Sequence, residues 1–179
     1  MANKLVRGLV AGAAGTVALN VVGYLDMLAR GRPASDLPAR VAGRLADEVG
    51  IPLDWDDDED EAGGGGEGAD DDGADDRAGS FGNGRLANRQ EALGALLGYA
   101  NGLGLGGAYG IVRLVMPRPP TWLAGALLGG AAMAASDIPA TSLELTDPQE
   151  WGTQGWLSDI APHLAYGLVT AWTFEALGR

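Results

Sequence analysis

The chain has 179 residues, with 24 acidic against 12 basic side chains, a net charge of −12 and no cysteine. Such an acid excess argues against a nucleic-acid partner, and the lack of cysteine excludes both a disulfide framework and a thiolate metal site. Thirteen of the 24 acidic residues fall between Asp54 and Asp76, so the charge belongs mainly to one stretch, and four apolar segments remain once it is set aside.

The first apolar segment, 8–28, reads GLVAGAAGTVALNVVGYLDML. Its length matches the roughly 20 residues that a bilayer core requires. Lys4 and Arg7 imitate the basic start of a signal peptide, and Ala11-Gly12-Ala13 imitates a cleavage site. The apolar run continues past that point to Leu28, which predicts a retained span. Gly8, Gly12 and Thr16 form a stripe of small residues at four-residue spacing. From Ser35 to Ile51 the pattern turns amphipathic. Leu37, Val41, Leu45 and Val49 recur every fourth residue, with Ser35 or Asp36 as cap and Gly50-Ile51-Pro52 as stop. This predicts a short connecting helix packed on its own protein. Residues 54–84 combine an acidic run with many glycines, a composition that buries too little apolar surface to order itself and predicts a disordered acidic loop. The calcium-loop spacing with its closing Glu is absent there.

The second span, 92–115, carries five glycines in register: Gly94, Gly98, Gly102, Gly106 and Gly110. Each interior Gly costs a water-soluble helix about 1 kcal/mol relative to Ala. In lipid, small residues every fourth position let helix backbones approach closely. The ladder therefore predicts a glycine-zipper helix pressed against neighbours. GLGLGG at 102–107 has the outline of a dinucleotide fingerprint, but no strand precedes it. Pro117, Pro119 and Pro120 break the chain before an Ala/Gly-rich third span at 121–138. A fourth span is predicted at 158–177, with Ser158 as cap. Trp122, Trp151, Trp156, Trp172 and Tyr24 fall near span ends, where aromatic belts sit.

Four alternating spans bring the end of the first, the start of the second, the end of the third and the start of the fourth to one membrane face. Asp26, Arg89, Glu91, Asp137, Asp159 and His163 gather there, and Asp159 and His163 share a helix side at i, i+4. Ionisable groups at membrane depth are costly and mark functional positions. Asp26, Asp137, Asp159 and His163 are therefore the candidate polar site, for protons or a cation. The competing reading has these groups capping helix ends and pairing with Arg30, Arg32 or Arg89. Nothing resembles a helix-borne zinc motif, a nucleophile elbow or a Walker sequence, so no metal, cofactor or catalytic residue is expected.

The C-terminal third resembles the YagU-like small inner-membrane proteins. The likeness rests on WLAGALLGG at 122–130, DPQEW at 147–151 and Ser158-Asp159-Ile160-Ala161-Pro162-His163-Leu164. Members share a Gly/Ala-rich third span and an S-[D/E]-I-x-x-H-L segment opening the last one. A polar end to the first span followed by Gly31-Arg32-Pro33 is also similar, whereas the acidic insert departs from the pattern. The resemblance implies a multi-span bacterial or archaeal membrane protein, lends weight to Asp159 and His163, and supplies no reaction.

The expected fold is an all-α, four-helix transmembrane bundle divided into 1–53, 54–84 and 85–179. The expected partners are the lipid bilayer and a second copy or another membrane protein. The expected role is non-enzymatic packing or assembly, with a small proton- or cation-linked channel or transporter as the alternative. Lys4, Arg7, Arg113, Arg118 and Arg179 share one face, and Arg30, Arg32, Arg40, Arg44, Arg77, Arg85 and Arg89 the other; the segment 139–157 on that second side has no basic residue, and the expectation is that it lies outside and both termini in the cytoplasm of a prokaryote.

Overall fold

The computed structural model describes residues 2–53, 74–116 and 118–179. Among the described residues the regular structure is all helical and no strand occurs. The helices are α1 (Ala2–Arg30), α2 (Leu37–Glu48), α3 (Ala74–Val115), α4 (Thr121–Ser142) and α5 (Gly152–Ala176), with a 3-10 turn at Pro148–Glu150.

Several boundaries differ from the sequence expectation. Of the acidic stretch expected to be irregular, 54–73 lies outside the described residues, while 74–84 forms the opening turns of α3. α4 does not stop at Ile138. It accepts Pro139 in its interior and ends a turn later, where Leu145 N–H bonds the Ala140 carbonyl at 3.0 Å and Glu144 takes a φ of 56°. That wrap is a Schellman-type ending. α5 starts at Gly152 rather than Ser158, so Pro162 lies well inside it and leaves the Ser158 carbonyl without its i+4 donor.

Among the described residues two helices, α1 and α4, are long and apolar enough to cross a membrane, not the four expected. The other two are diluted by their own chemistry. The later part of α3 is rich in glycine and includes Asn101 and Arg113. α5 carries Ser158, Asp159, His163, Thr170 and Glu175.

The chain divides into two compact units, one made of 1–35 with 97–179 and the other of 36–96. In the larger unit small residues set the packing. A Cβ on Gly12 would lie 2.6 Å from the Gly102 carbonyl oxygen, and one on Gly106 would lie 2.5 Å from the Gly12 Cα. α1 and α3 thus touch backbone to backbone, running antiparallel. α4 and α5 do the same, where a Cβ on Gly125 would meet the Leu168 Cα at 2.8 Å and one on Gly167 the Gly129 Cα at 2.8 Å. Tyr166 closes the centre. Its ring is buried, it faces Gly15, and its hydroxyl donates to the Gly102 carbonyl at 2.7 Å. That bond satisfies the polar tip of an otherwise apolar side chain.

In the smaller unit α2 packs through Ala42, Gly43 and Ala46, while Val49 is exposed, so the buried face is shifted from the Leu37–Val41–Leu45–Val49 seam. A Cβ on Gly94 would collide with the Pro38–Ala39 backbone, and one on Gly43 with the Gln90 side chain. α2 ends at Gly50 (φ +70°), with Ile51 N–H on the Ala46 carbonyl at 2.9 Å. The glycine ladder is thus divided. Gly94 meets α2, Gly102, Gly106 and Gly110 meet α1, and Gly98 meets nothing within 4 Å.

Candidate functional site

The antiparallel approach of α4 and α5 decides where their polar residues fall. A Cβ on Gly129 would sit 2.7 Å from the His163 carbonyl oxygen, so only glycine allows α5 to lie this close. One and two turns further along α4 stand Met133 and then Ser136-Asp137, which face His163 and Asp159 of α5.

His163 is the hub. Its Nδ1 lies 2.8 Å from the Asp159 carbonyl oxygen and 3.2 Å from Asp159 Oδ1. Two acceptors facing Nδ1 assign a hydrogen to that nitrogen. Nε2 is then the position that gains or loses a proton, and it faces Ser136 Oγ at 3.4 Å. Ser136 Oγ donates to the Met133 carbonyl at 2.8 Å and lies 3.3 Å from Asp137 Oδ1. The side chains of His163 and Asp159 are 15% and 20% exposed, and Asp159 Oδ2 is buried with no hydrogen-bond partner. An unpaired buried carboxylate oxygen costs free energy and marks a position that a proton, a water or a cation would satisfy.

Of the four candidate residues, Asp137, Asp159 and His163 come together. Asp26 stands apart in its own ion cluster. Its carboxylate accepts from Arg32 Nε at 2.7 Å and from Arg30, which also reaches Ser158 Oγ. Arg89 belongs to the smaller unit, where its Nη1 donates to the Leu53 carbonyl at 2.7 Å, and Glu91 is exposed. Among the described residues no group of three or more His, Asp or Glu side chains has the arrangement to hold a metal ion.

The segment over this end is built by local bonds. Asp147 Oδ1 accepts from the Gln149 N–H at 2.8 Å, and Trp151 Nε1 donates to Thr146 Oγ1 at 2.7 Å. The Trp151 and Trp156 rings lie 5.2 Å apart.

At the opposite end of the same unit lies a second charged cluster, whose basic residues the helix alternation groups on one face but whose Arg113–Glu175 pair it does not predict. Arg113 is 7% exposed, and its Nη2 lies 2.7 Å from Glu175 Oε1 without the alignment of a hydrogen bond. Lys4 Nζ donates to the Arg113 carbonyl at 2.7 Å. The Arg7 guanidinium lies 4.4 Å from the centre of the Phe174 ring and bonds the Phe174 carbonyl. Tyr109 meets Phe174 edge-on at 5.1 Å. In sequence Glu175 has Arg179 at i+4 as its obvious partner; in the structure its partner is Arg113, which comes from the end of α3. The available signal was the alternation of helix directions, which puts residues 4, 7, 113, 118 and 179 at one level.

Comparison with known protein families, with curated proteins and with solved structures found no match to this chain.

Proposed function

We propose that this protein is an integral membrane protein whose four long helices all cross the bilayer, as a non-enzymatic packing or assembly component. One observation carries the membrane reading: the distribution of side-chain size is inverted relative to a water-soluble protein. The interior is mainly small, with Ala11, Ala124, Ala132 and Ala171 buried beside the glycine contacts. Leu128, Tyr166 and Phe174 are buried among them, but many large apolar side chains point outward on every long helix: Val17, Val21 and Leu25 on α1, Ile111 and Val115 on α3, Leu127 and Ile138 on α4, and Ile160 and Trp172 on α5. Water-soluble monomers seldom expose contiguous apolar patches beyond a few hundred Å². In lipid, by contrast, close packing of small residues drives association and large apolar groups face the acyl chains.

The aromatic residues support the same reading. Trp156 and Trp172 are exposed near opposite ends of α5. Sixteen residues at 1.5 Å each separate them by about 24 Å, close to the height of a hydrocarbon core. The approach of α1 to the end of α5 puts both termini at one end, together with Lys4, Arg7, Arg113, Arg118 and Arg179. Positive residues favour the cytoplasmic side of a prokaryotic inner membrane. The YagU-like resemblance is consistent with that location. Glycine-zipper contacts of this kind suit a homo-oligomer or a complex with another membrane protein, and the unoccupied side of Gly98 is a surface where a further helix backbone would fit.

Alkaline carbonate treatment of expressing membranes tests the membrane reading, and light scattering of the detergent-solubilised particle tests assembly. The expected outcome is full retention in the pellet and a protein mass above one chain. A carbonate-soluble chain rejects the first part, and a monodisperse monomer rejects the second.

A second reading, a proton- or cation-linked channel or transporter, is favoured by the Ser136–Asp137–Asp159–His163 network and the unpartnered Asp159 Oδ2. Its test is proton or cation flux into proteoliposomes across about pH 5 to 8, the range in which His titrates. Flux abolished in both His163→Gln and Asp159→Asn supports it, and no flux from folded parent protein rejects it.

A further inference from the structure

The basic end of the larger unit contains more charge than the chain itself compensates. A cavity of about 330 Å³ opens there, lined by Lys4, Arg7, Arg113, Arg118, Arg179 and one carboxylate, Glu175. Five cations thus face a single anion, and that anion lies against Arg113. Two of the guanidinium groups are visibly incomplete. The Nε atoms of Arg7 and Arg113 are buried and have no hydrogen-bond partner. A buried N–H of a charged group without an acceptor is among the costlier features a fold retains. Those two Nε atoms are closed to solvent, so an incoming anion acts instead on the uncompensated positive charge, and the planar fork of Arg matches a phosphate in geometry and charge. The volume falls in the range of small-molecule sites, roughly 300–1,000 Å³.

Location selects the source of the phosphate. The cavity sits where α1 begins and where α3 and α5 end, the level at which polar head groups meet a membrane protein. An open apolar groove of about 440 Å³, lined by Thr121, Trp122, Leu168, Val169 and Trp172, lies at the same end, between the start of α4 and the last turns of α5. A free phosphate uses only the first of these features. A phospholipid uses both, with its head group on the arginines and an acyl chain along the tryptophans. Basic pockets between membrane helices are well suited to anionic head groups.

We propose that this cavity binds the phosphate of an anionic phospholipid, which offsets the surplus of positive charge around it and fixes the ends of α1, α3 and α5 to the membrane surface. The inference rests on the membrane reading above.

The test uses the full chain purified in a non-ionic detergent, with dioctanoyl-phosphatidylglycerol and dioctanoyl-phosphatidylcholine as probes. Native mass spectrometry measures bound lipid, and tryptophan fluorescence measures thermal unfolding. The expected result is about a ten-fold preference for the anionic lipid, together with a raised unfolding temperature. Arg7→Gln and the double variant Arg118→Gln/Arg179→Gln are expected to lose the preference. The double variant leaves the Arg113–Glu175 pair intact, so its lipid-free unfolding temperature should match the parent. Equal binding of the two lipids overturns the proposal, as does an undiminished preference in both variants. Displacement of phosphatidylglycerol by millimolar inorganic phosphate overturns the lipid assignment and leaves a free-anion site. Carbonate extraction is read separately. A chain that stays in the membrane but shows no preference overturns this inference alone, and a chain released by carbonate that binds neither lipid overturns both.

Discussion

The two ends of the larger unit handle charge differently. At the end formed by the tips of α1, α4 and the start of α5, most charges are matched from within, with Asp159 Oδ2 the buried oxygen left without a hydrogen-bond partner. Asp26 is held by Arg30 and Arg32, and His163 is held by Asp159 and Ser136. At the other end the compensation is incomplete, because five cations surround a cavity with one carboxylate among them. Between the ends lies a middle in which backbones touch and no ion pair is needed. The contrast separates two uses of a charged residue in one bundle. A charge matched by its own neighbours serves the fold, and a charge left over at a cavity is available for something outside the chain.

Disrupting the middle should have the largest effect, because both ends depend on it. Gly106→Leu would push a side chain into the Gly8 and Gly12 backbone, which has no rotamer to yield. Overpacking costs about 1–3 kcal/mol where neighbours can shift, and more where they cannot. Loss of the folded particle on size exclusion in mild detergent is expected. Gly102→Leu should be nearly as severe, whereas Gly102→Ala meets chiefly the Thr16 side chain and should be much milder. Gly98→Ala meets nothing within the chain, so the folded single-chain bundle should be as stable as the parent.

Next in size is the buried pair at the basic end. Glu175→Gln leaves the Arg113 charge buried without its counter-ion. Breaking such a pair costs about 3–5 kcal/mol when both partners are buried, and about 2 kcal/mol is expected here because Glu175 is partly exposed. Anionic lipid should restore part of the lost thermal stability in this variant. Failure of that rescue would weaken the distinction between the two ends.

Smaller effects are expected at the compensated end. His163→Gln should cost about 1 kcal/mol, since an amide replaces part of the imidazole hydrogen bonding. Asp26→Asn should leave the unfolding temperature close to the parent's, as the pairs with Arg30 and Arg32 lie near the surface. Thermal unfolding of both variants in the same detergent checks this. A large loss in Asp26→Asn would mean that its two arginines are charges the fold cannot leave unpaired.

The helices themselves were legible in the sequence, because glycine spacing and apolar runs report local geometry directly. The Gly8–Gly12–Thr16 stripe and the three glycines from 102 to 110 do meet each other. Boundaries were less legible. Pro139 reads as a stop, yet α4 continues through it, and α5 gains a turn and more ahead of Ser158 because Gly152 supplies the positive φ that starts it. The ladder predicted neighbours without naming them: its contacts are shared between α2 and α1, and no sequence pattern says which neighbour a glycine will face. The Asp137–Asp159–His163 grouping followed from alternating helix direction alone. The Arg113–Glu175 pair did not, because Arg179 at i+4 offered a nearer partner and burial decides the choice. Hydropathy marks α1 and α4 as apolar enough to span and misses α3 and α5, whose small and polar residues are the ones that let helices pack.

The claim that the outward-facing apolar residues contact lipid is tested most directly by single-cysteine accessibility, since the chain has no cysteine of its own. Leu127→Cys lies inside α4, six residues from its start, at a position 66% exposed, with Pro119→Cys before that helix and Gln154→Cys in the first turn of α5 beyond it. A membrane-impermeant maleimide applied to sealed vesicles should label Pro119→Cys and Gln154→Cys from opposite sides. Leu127→Cys should stay unlabelled from both sides until detergent denatures the protein. Rapid labelling of Leu127→Cys in intact vesicles, or labelling of both flanking positions from the same side, would contradict the account.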